Sequence, residues 1–236
     1  MKILAVDIGG THIKLLATGH RTKVEFVSGP DMTPKKMIDG IRRAIPGWKY
    51  DVVSMGYPGP VLGDHPVADP HNLGPGWVNF DFAAEFGCEV KIINDAAMQA
   101  LGSYEGGRML FLGLGTGLGS ALVIEHLVLP MELAHLPYRK GRTYEEYLGI
   151  AGLKRAGKKK WRHHVADVVC RFKAALLADY VVLGGGNAHQ LKALPPGARL
   201  GDNANAFRGG FRLWKGHHKS PFNPTGASRV PVPHQR

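Results

Sequence analysis

One local pattern occurs twice in this chain, roughly a hundred residues apart, and it restricts what the chain can fold into. In the first copy the apolar run Lys2–Val6 meets the turn Asp7-Ile8-Gly9-Gly10-Thr11 and returns as His12–Ala17. In the second, Met109–Leu114 meets Gly115-Thr116-Gly117 and returns as Ser120–Ile124. Runs of β-favouring residues broken by glycine read as strands joined by tight turns. A third short strand follows each hairpin, at Lys23–Val27 and at about Leu127–Leu129. Two such hairpins predict a duplicated α/β unit rather than one continuous sheet.

The connecting segments extend the pattern. A helix is expected from Thr33, with Pro34 at its first position and Met37, Ile38, Ile41 and Ile45 along one face. Asp51–Met55 reads as a strand. The Gly/Pro-rich stretch from Tyr57 to about Asn79 is longer than an ordinary connection, which marks it as a functional loop. A short helix near Phe82–Phe86, a strand Val90–Ile93 and a helix from Ala96 complete a βββαβαβα order. In the second half, a helix from Trp161 carries Val165, Val168, Val169, Phe172 and Leu176 on one stripe. It leads into the strand Asp179–Leu183, then Gly184-Gly185-Gly186 and a further short helix. The expected division is residues 1–105, residues 106–218, and a polar, proline-rich tail over 219–236 that is flexible.

Composition removes several classes. The chain has 236 residues, 44% of them hydrophobic, enough for a real core. Met109–Ile124, its longest uncharged apolar stretch, is interrupted by four glycines and is too short to span a bilayer. Asp7 interrupts the one N-terminal stretch that resembles a signal peptide. Cys88 and Cys170 form neither a disulfide framework nor a metal-binding spacing. A cytoplasmic protein with no membrane partner is expected. Lys and Arg number 30 against 19 Asp and Glu, a net charge of +11, and much of the excess lies in Lys154–Arg162. That run reads as a solvated loop leading into a helix, with binding of a polyanion as the alternative; nucleic acid is not expected.

The turns carry chemistry. Glycines in the first let backbone N–H groups approach an anion, Thr11 adds a hydroxyl, and Asp7 suits a hydrated Mg²⁺. Gly115-Thr116-Gly117 offers the same donors without an acid. Two such loops facing across a cleft would hold one phosphate chain. Asn94-Asp95 stands where a strand hands over to a helix. Those residue types suit an N-cap, and a carboxylate kept ionised by the helix dipole also suits a base that takes a proton from a hydroxyl attacking phosphorus. The local sequence does not separate the two.

Five segments occur in a telling order: Asp7-Ile8-Gly9-Gly10-Thr11-His12-Ile13-Lys14, Gly56-Tyr57-Pro58-Gly59-Pro60-Val61, Asn94-Asp95-Ala96, Leu114-Gly115-Thr116-Gly117-Leu118-Gly119-Ser120-Ala121, and Glu132-Leu133-Ala134-His135. Together they resemble the ROK family (repressors, open reading frames and kinases), in the superfamily of sugar kinases, actin and heat-shock chaperones. The resemblance covers roughly residues 1–215. It implies two ribonuclease-H-like domains of the actin/hexokinase type flanking a central cleft.

Carried over by motif, the resemblance makes Asp95 the catalytic base. Asp7, Gly9, Gly10 and Thr11 become the first phosphate loop, with Mg²⁺ held by Asp7 through water. Gly115, Thr116 and Gly117 become the second, and Gly184, Gly185 and Gly186 lie beside the nucleoside. Asn94, Glu132 and His135 are implied sugar ligands, with Glu145 a looser match and Asn72 in a segment flanking the sugar pocket. The implied activity is phosphoryl transfer from ATP, or from polyphosphate, to a hexose, most simply the 6-hydroxyl of glucose. An N-acetylhexosamine substrate and a sugar-binding regulator without catalysis are the alternatives.

Two departures from the family's pattern stand out. Many members follow the histidine segment with cysteines that bind zinc, whereas Leu136–Tyr147 contains none, so no zinc site is expected. That absence resembles the polyphosphate glucokinase branch. The chain is also short, which implies trimmed C-terminal helices and leaves a homodimer open. The first core strand begins at Lys2, so no helix-turn-helix domain of a repressor is expected before it.

Overall fold

The computed structural model describes residues 1–202 and 204–215. The first hairpin and its successor form β1 (Ile3–Ile8), β2 (His12–Ala17) and β3 (Val24–Val27), followed by α1 (Pro34–Ala44) and β4 (Val52–Tyr57). A two-residue pair, β5 (Val61–Leu62) and β6 (His65–Pro66), sits inside the long loop. Next come α2 (Phe82–Phe86), β7 (Glu89–Asn94) and α3 (Asp95–Ser103). The second half opens with β8 (Arg108–Leu114), β9 (Leu118–Ile124) and β10 (Leu127–Met131). It continues through β11 (Pro137–Arg139), β12 (Arg142–Thr143), α4 (Tyr144–Leu148), α5 (Ile150–Ala175), β13 (Tyr180–Gly184), β14 (Ala198–Leu200) and α6 (Asn205–Arg212).

The predicted duplication is visible in the topology. One sheet runs β3-β2-β1-β4-β7 and the other β10-β9-β8-β13-β14. In each, the first three strands pair antiparallel and the last two join parallel to the hairpin's first strand. The central strand β1 is buried at every position, as a strand covered on both faces must be. Met37, Ile38 and Ile41 of α1 pack on the first sheet. Thr33 caps that helix by accepting from Lys36 N–H, and Pro34 occupies its first turn as the sequence predicts. Trp161, Val165, Val168 and Val169 of α5 pack on the second sheet.

A third apolar cluster joins the halves. It is built from Ala97, Met98 and Leu101 of α3, Phe111 and Val123 of the second sheet, and Ala206 of α6. Helices α3 and α6 cross so closely that a methyl group on Gly102 would meet the Asn205 backbone, and one on Gly209 would meet Met98 O. Arg212 closes the crossing by donating to the carbonyls of Leu101, Gly102 and Tyr104 at the end of α3. These capture C=O groups that a helix end leaves unpaired.

Several expectations need correction. The second-half helix begins at Ile150, not Trp161, and is interrupted at Gly157, whose φ of 71° is left-handed. The basic run 154–162 is therefore helical on both sides of that break and not a loop; its Lys, Arg and Ala are good helix formers. Buried Trp161 pins it by donating its indole N–H to Leu148 O at 2.9 Å. The hairpin β11–β12, α4, β14 and α6 were not predicted. The last was hidden because its Arg208-Gly209-Gly210 reads as a breaker, whereas those glycines permit the close crossing. The tail over 219–236 lies outside the described residues. Among the described residues no helix is long and apolar enough to cross a membrane.

Candidate active site

Three parallel strands end side by side where the first sheet meets the second half. In register, Asp7 of β1 lies opposite Gly56 of β4, and Gly56 opposite Ile93 of β7. The carboxyl ends of parallel strands are where α/β sheets place their ligands. Asp95 follows two residues beyond Ile93, as the first residue of α3. A Cβ on Gly56 would stand 2.5 Å from the Met98 methyl, so that flexible side chain would have to shift, and 3.5 Å from Asp95 Cα.

The Asp7 carboxylate is buried and faces the Lys14 ammonium across the hairpin at 3.4 Å. Burial pushes its carboxyl above the ordinary value, against the pull of Lys14. In the turn that follows, Gly9 N–H donates to His12 O at 3.0 Å, and a Cβ on Gly9 would come within 2.8 Å of the same oxygen. Ser28 Oγ donates to Gly9 O. Thr11 is exposed, with its hydroxyl 3.3 Å from His12 Nδ1. Asn72, from the long loop, packs against Gly10, with its Cβ 3.1 Å from where a Cβ on that glycine would stand. The structure thus puts Asn72 beside the first loop.

Asp95 is partly buried, and its carboxyl is pushed up to about 7. Burial is the main cause, the Asp7 carboxylate adds to it and Glu132 contributes less, while the N–H of Ala96, 2.7 Å from Oδ1, pulls the other way. The sequence reading expected the helix N-terminus to keep this acid ionised at neutral pH. Desolvation and a neighbouring like charge outweigh it. A carboxyl that exchanges its proton near neutrality is poised as a general base.

Asn94 is the N-cap of α3. Its Oδ1 accepts from Ala96 and Ala97 N–H, and its Nδ2 donates to Gly59 O at 3.2 Å, tying the long loop to the helix. Both readings of Asn94-Asp95 therefore have physical content: the Asn caps and the Asp titrates.

Glu132 and His135 flank a short 3₁₀ turn, with Oε2 and Nε2 3.5 Å apart. Ser120 holds this corner on β9 by donating to Met131 O and accepting from Leu133 N–H. Both side chains are about 70% exposed, so they form an open rim. Glu132 faces inward enough for its charge to act on Asp95. Glu145 lies elsewhere, against the second glycine turn: its Oε2 accepts from Leu118 N–H at 3.2 Å and fills the space beside Gly117.

That second turn is braced from three sides. Gly115 N–H donates to Gly117 O at 3.1 Å, and Ile150 N–H, at the start of α5, reaches the carbonyls of Gly115 and Thr116. Asn187 donates through its backbone to Leu114 O and through Nδ2 to Gly115 O, each at 2.8 Å. The Gly184–Gly186 segment therefore docks on the turn. Gly185 has a φ of 81°, and a Cβ there would strike Leu114 O. Lys14, Ser120 and Asn187 escaped the sequence reading, because their roles arise from strand register and chain crossings that no local motif encodes.

Asp7 is a single carboxylate, and among the described residues no group of three or more His, Cys, Asp or Glu could enclose a metal ion. A single buried carboxylate suits a Mg²⁺ that keeps most of its waters.

Comparison with known proteins adds to this geometry. The ROK family model matches residues 3–129, more than half of the chain. A polyphosphate glucokinase of Mycobacterium tuberculosis is 26% identical over 204 residues, covering 77% of this chain and 76% of that protein. The inorganic polyphosphate/ATP-glucomannokinase of Arthrobacter sp. strain KM superposes with a TM-score of 0.74 at 21% identity, over 88% of this chain and 96% of that one. The ROK family glucokinase of Streptomyces griseus, solved with glucose and AMPPNP, gives 0.70 at 16% identity, over 89% and 97%. These structural likenesses concern the fold, which is the two-lobed, actin-like α/β arrangement.

Proposed function

Because this chain belongs to the ROK family, we propose that its cleft transfers a phosphoryl group to a hexose hydroxyl, most simply the 6-hydroxyl of glucose. The observation that carries this reading is Asp95, a partly buried carboxyl pushed up to about 7, between Asp7 and Glu132. In the proposed step the sugar oxygen attacks the terminal phosphorus. The bond from phosphorus to the departing phosphate breaks, and the hydroxyl proton passes to the Asp95 carboxylate. Glu132 and His135 hold sugar hydroxyls from the rim, and Asn94 adds its remaining amide hydrogen. Gly9–Thr11 and Gly115–Gly117 supply donors to the phosphoryl oxygens. Mg²⁺ held by Asp7 through water offsets charge on the donor when it is bound.

ATP is the favoured donor. Gly184–Gly186 abuts the second glycine turn, the place a nucleoside needs if its phosphates reach that turn. Inorganic polyphosphate is a second reading with its own support. Helix α5 starts at the second turn, and Lys158, Lys159 and Lys160, just beyond its break at Gly157, are exposed. The domain division at residues 105 and 106 follows the two sheets and is part of this proposal.

A coupled assay over a panel of hexoses and N-acetylhexosamines, with each donor, tests the reading. Phosphorylation of no sugar on either donor would leave a regulator. If polyphosphate serves, its apparent affinity should fall steeply with salt and with joint neutralisation of Lys158, Lys159 and Lys160, while ATP responds much less.

A further inference from the structure

Between His135 and Glu145 the chain leaves the cleft, turns at the tip of the β11–β12 hairpin, and returns through α4. One end of this strap carries Glu132 and His135 on the rim and the other carries Glu145 against the second glycine turn, so its middle sets their separation. Tyr138 is the aromatic anchor of that middle. The Tyr138 hydroxyl donates to Asp167 Oδ2 on α5 at 2.7 Å. The same oxygen accepts from Arg139 Nη2 at 3.1 Å and from Arg171 Nε at 2.8 Å, so it carries three donors. The Tyr138 ring stacks on Tyr144 at 4.8 Å and meets Tyr147 edge-on at 5.0 Å, both in α4. Tyr144 in turn packs on Phe172 of α5 at 4.5 Å. Tyr138 thus touches hairpin, α4 and α5 at once, beside the Arg155–Glu146 and Trp161–Leu148 hydrogen bonds that also join α4 to α5.

We propose that the Tyr138–Asp167 hydrogen bond is a positioning clamp that holds Glu132 and His135 at the sugar-binding edge of the cleft, at a set distance from Glu145 on the second glycine turn. The inference rests on the sugar-kinase reading for its functional consequence. It does not touch the reacting atoms. Its selectivity follows from the second glycine turn, which Ile150 and Asn187 hold in addition to Glu145, whereas Glu132 and His135 stand exposed close to Tyr138 in the chain. Loosening the clamp should therefore disturb the sugar more than the phosphoryl donor. Burial and the Asp167 carboxylate keep the phenol protonated, so it remains a donor over the working pH range.

Three variants test it: Tyr138→Phe, Asp167→Asn and the double. Tyr138→Phe keeps the ring and its stacking and removes the hydrogen bond to the charged Asp167 together with the 3.3 Å contact to His164 Nδ1. It should raise the sugar KM about tenfold, the order such a bond supplies, with donor KM and kcat within about twofold. Asp167→Asn gives an independent arm on α5, and the double variant should be no worse than the more impaired single one. A role limited to general stability would lower the unfolding temperature and leave both KM values in place, which overturns the clamp. So would a sugar KM within twofold of wild type, or fully additive effects. Amide hydrogen exchange across residues 132–148 judges the clamp without any turnover. Faster exchange confined to that segment in Tyr138→Phe supports it, and unchanged exchange overturns it. If wild type phosphorylates no hexose, the kinase reading fails by itself and the exchange result alone decides the clamp.

Discussion

Asp95→Asn should make the protein more stable while nearly abolishing turnover, and the stabilisation should grow with pH. In the folded state the carboxyl is pushed up to about 7 from an ordinary 3.8. The folded protein therefore holds this proton over a window in which the unfolded chain has released it. Stability is then lost as pH rises from about 4 to 7 and stays lost above that. At about 1.36 kcal/mol per pH unit the full penalty is about 4 kcal/mol. Asp95 is only partly buried, and solvent in the cleft reduces this to about 2 kcal/mol. Asparagine keeps the shape and removes the charge. For a chain of this size the gain in Tm is about 4–8 °C at pH 8.5, shrinking to about 2 °C at pH 5. Thermal unfolding of both proteins at the two pH values, without metal or substrate, measures it. Turnover should fall by about 10²–10⁴, the worth of a positioned base, with sugar binding retained. An equal Tm difference at both pH values, or turnover within tenfold of wild type, would refute the reasoning.

Asp7 is the largest charged contributor to that shift. In metal-free protein, Asp7→Asn should therefore move the Asp95 titration toward acid, read by carbon NMR of the carboxyl; an unmoved midpoint would remove Asp7 from the causes and leave burial and Glu132. Glu132→Ala should weaken sugar binding by calorimetry and leave donor binding close to wild type, whereas unchanged sugar affinity would make Glu132 structural. Gly102→Ala forces a methyl into the Asn205 backbone at the α3–α6 crossing and should cost at least about 1–3 kcal/mol in denaturant unfolding. A neutral result there would mean that the two helices separate without penalty.

The fold was legible because its signals are local. Two β-hairpins with glycine turns need only neighbouring residues, and so do the apolar stripe of α1 and the Thr33-Pro34 start. Each appears within a residue or two of its predicted place. The hairpins' equivalence pointed to a duplicated unit, and the two sheets do share one strand order. Residues such as Asp7, Gly10 and Asp95 were legible for a different reason: a short motif ties each residue type to a turn or a strand end.

What the sequence did not determine are the quantities that depend on distant neighbours. The Asp95 titration reverses the expectation from its helix N-terminus, because Asp7 arrives from another strand and burial from the whole cleft. Glu145 rests on the second glycine turn, and Asn72 on the first, through contacts that span tens of residues. The basic run is pinned in place by Trp161, which donates to Leu148 O. Helix α6 exists because its glycines meet α3 across the molecule. Hydrogen bonding and periodicity act along the chain and can be read from it. Desolvation, long-range charge and close packing act through space, and only the tertiary structure brings those partners together.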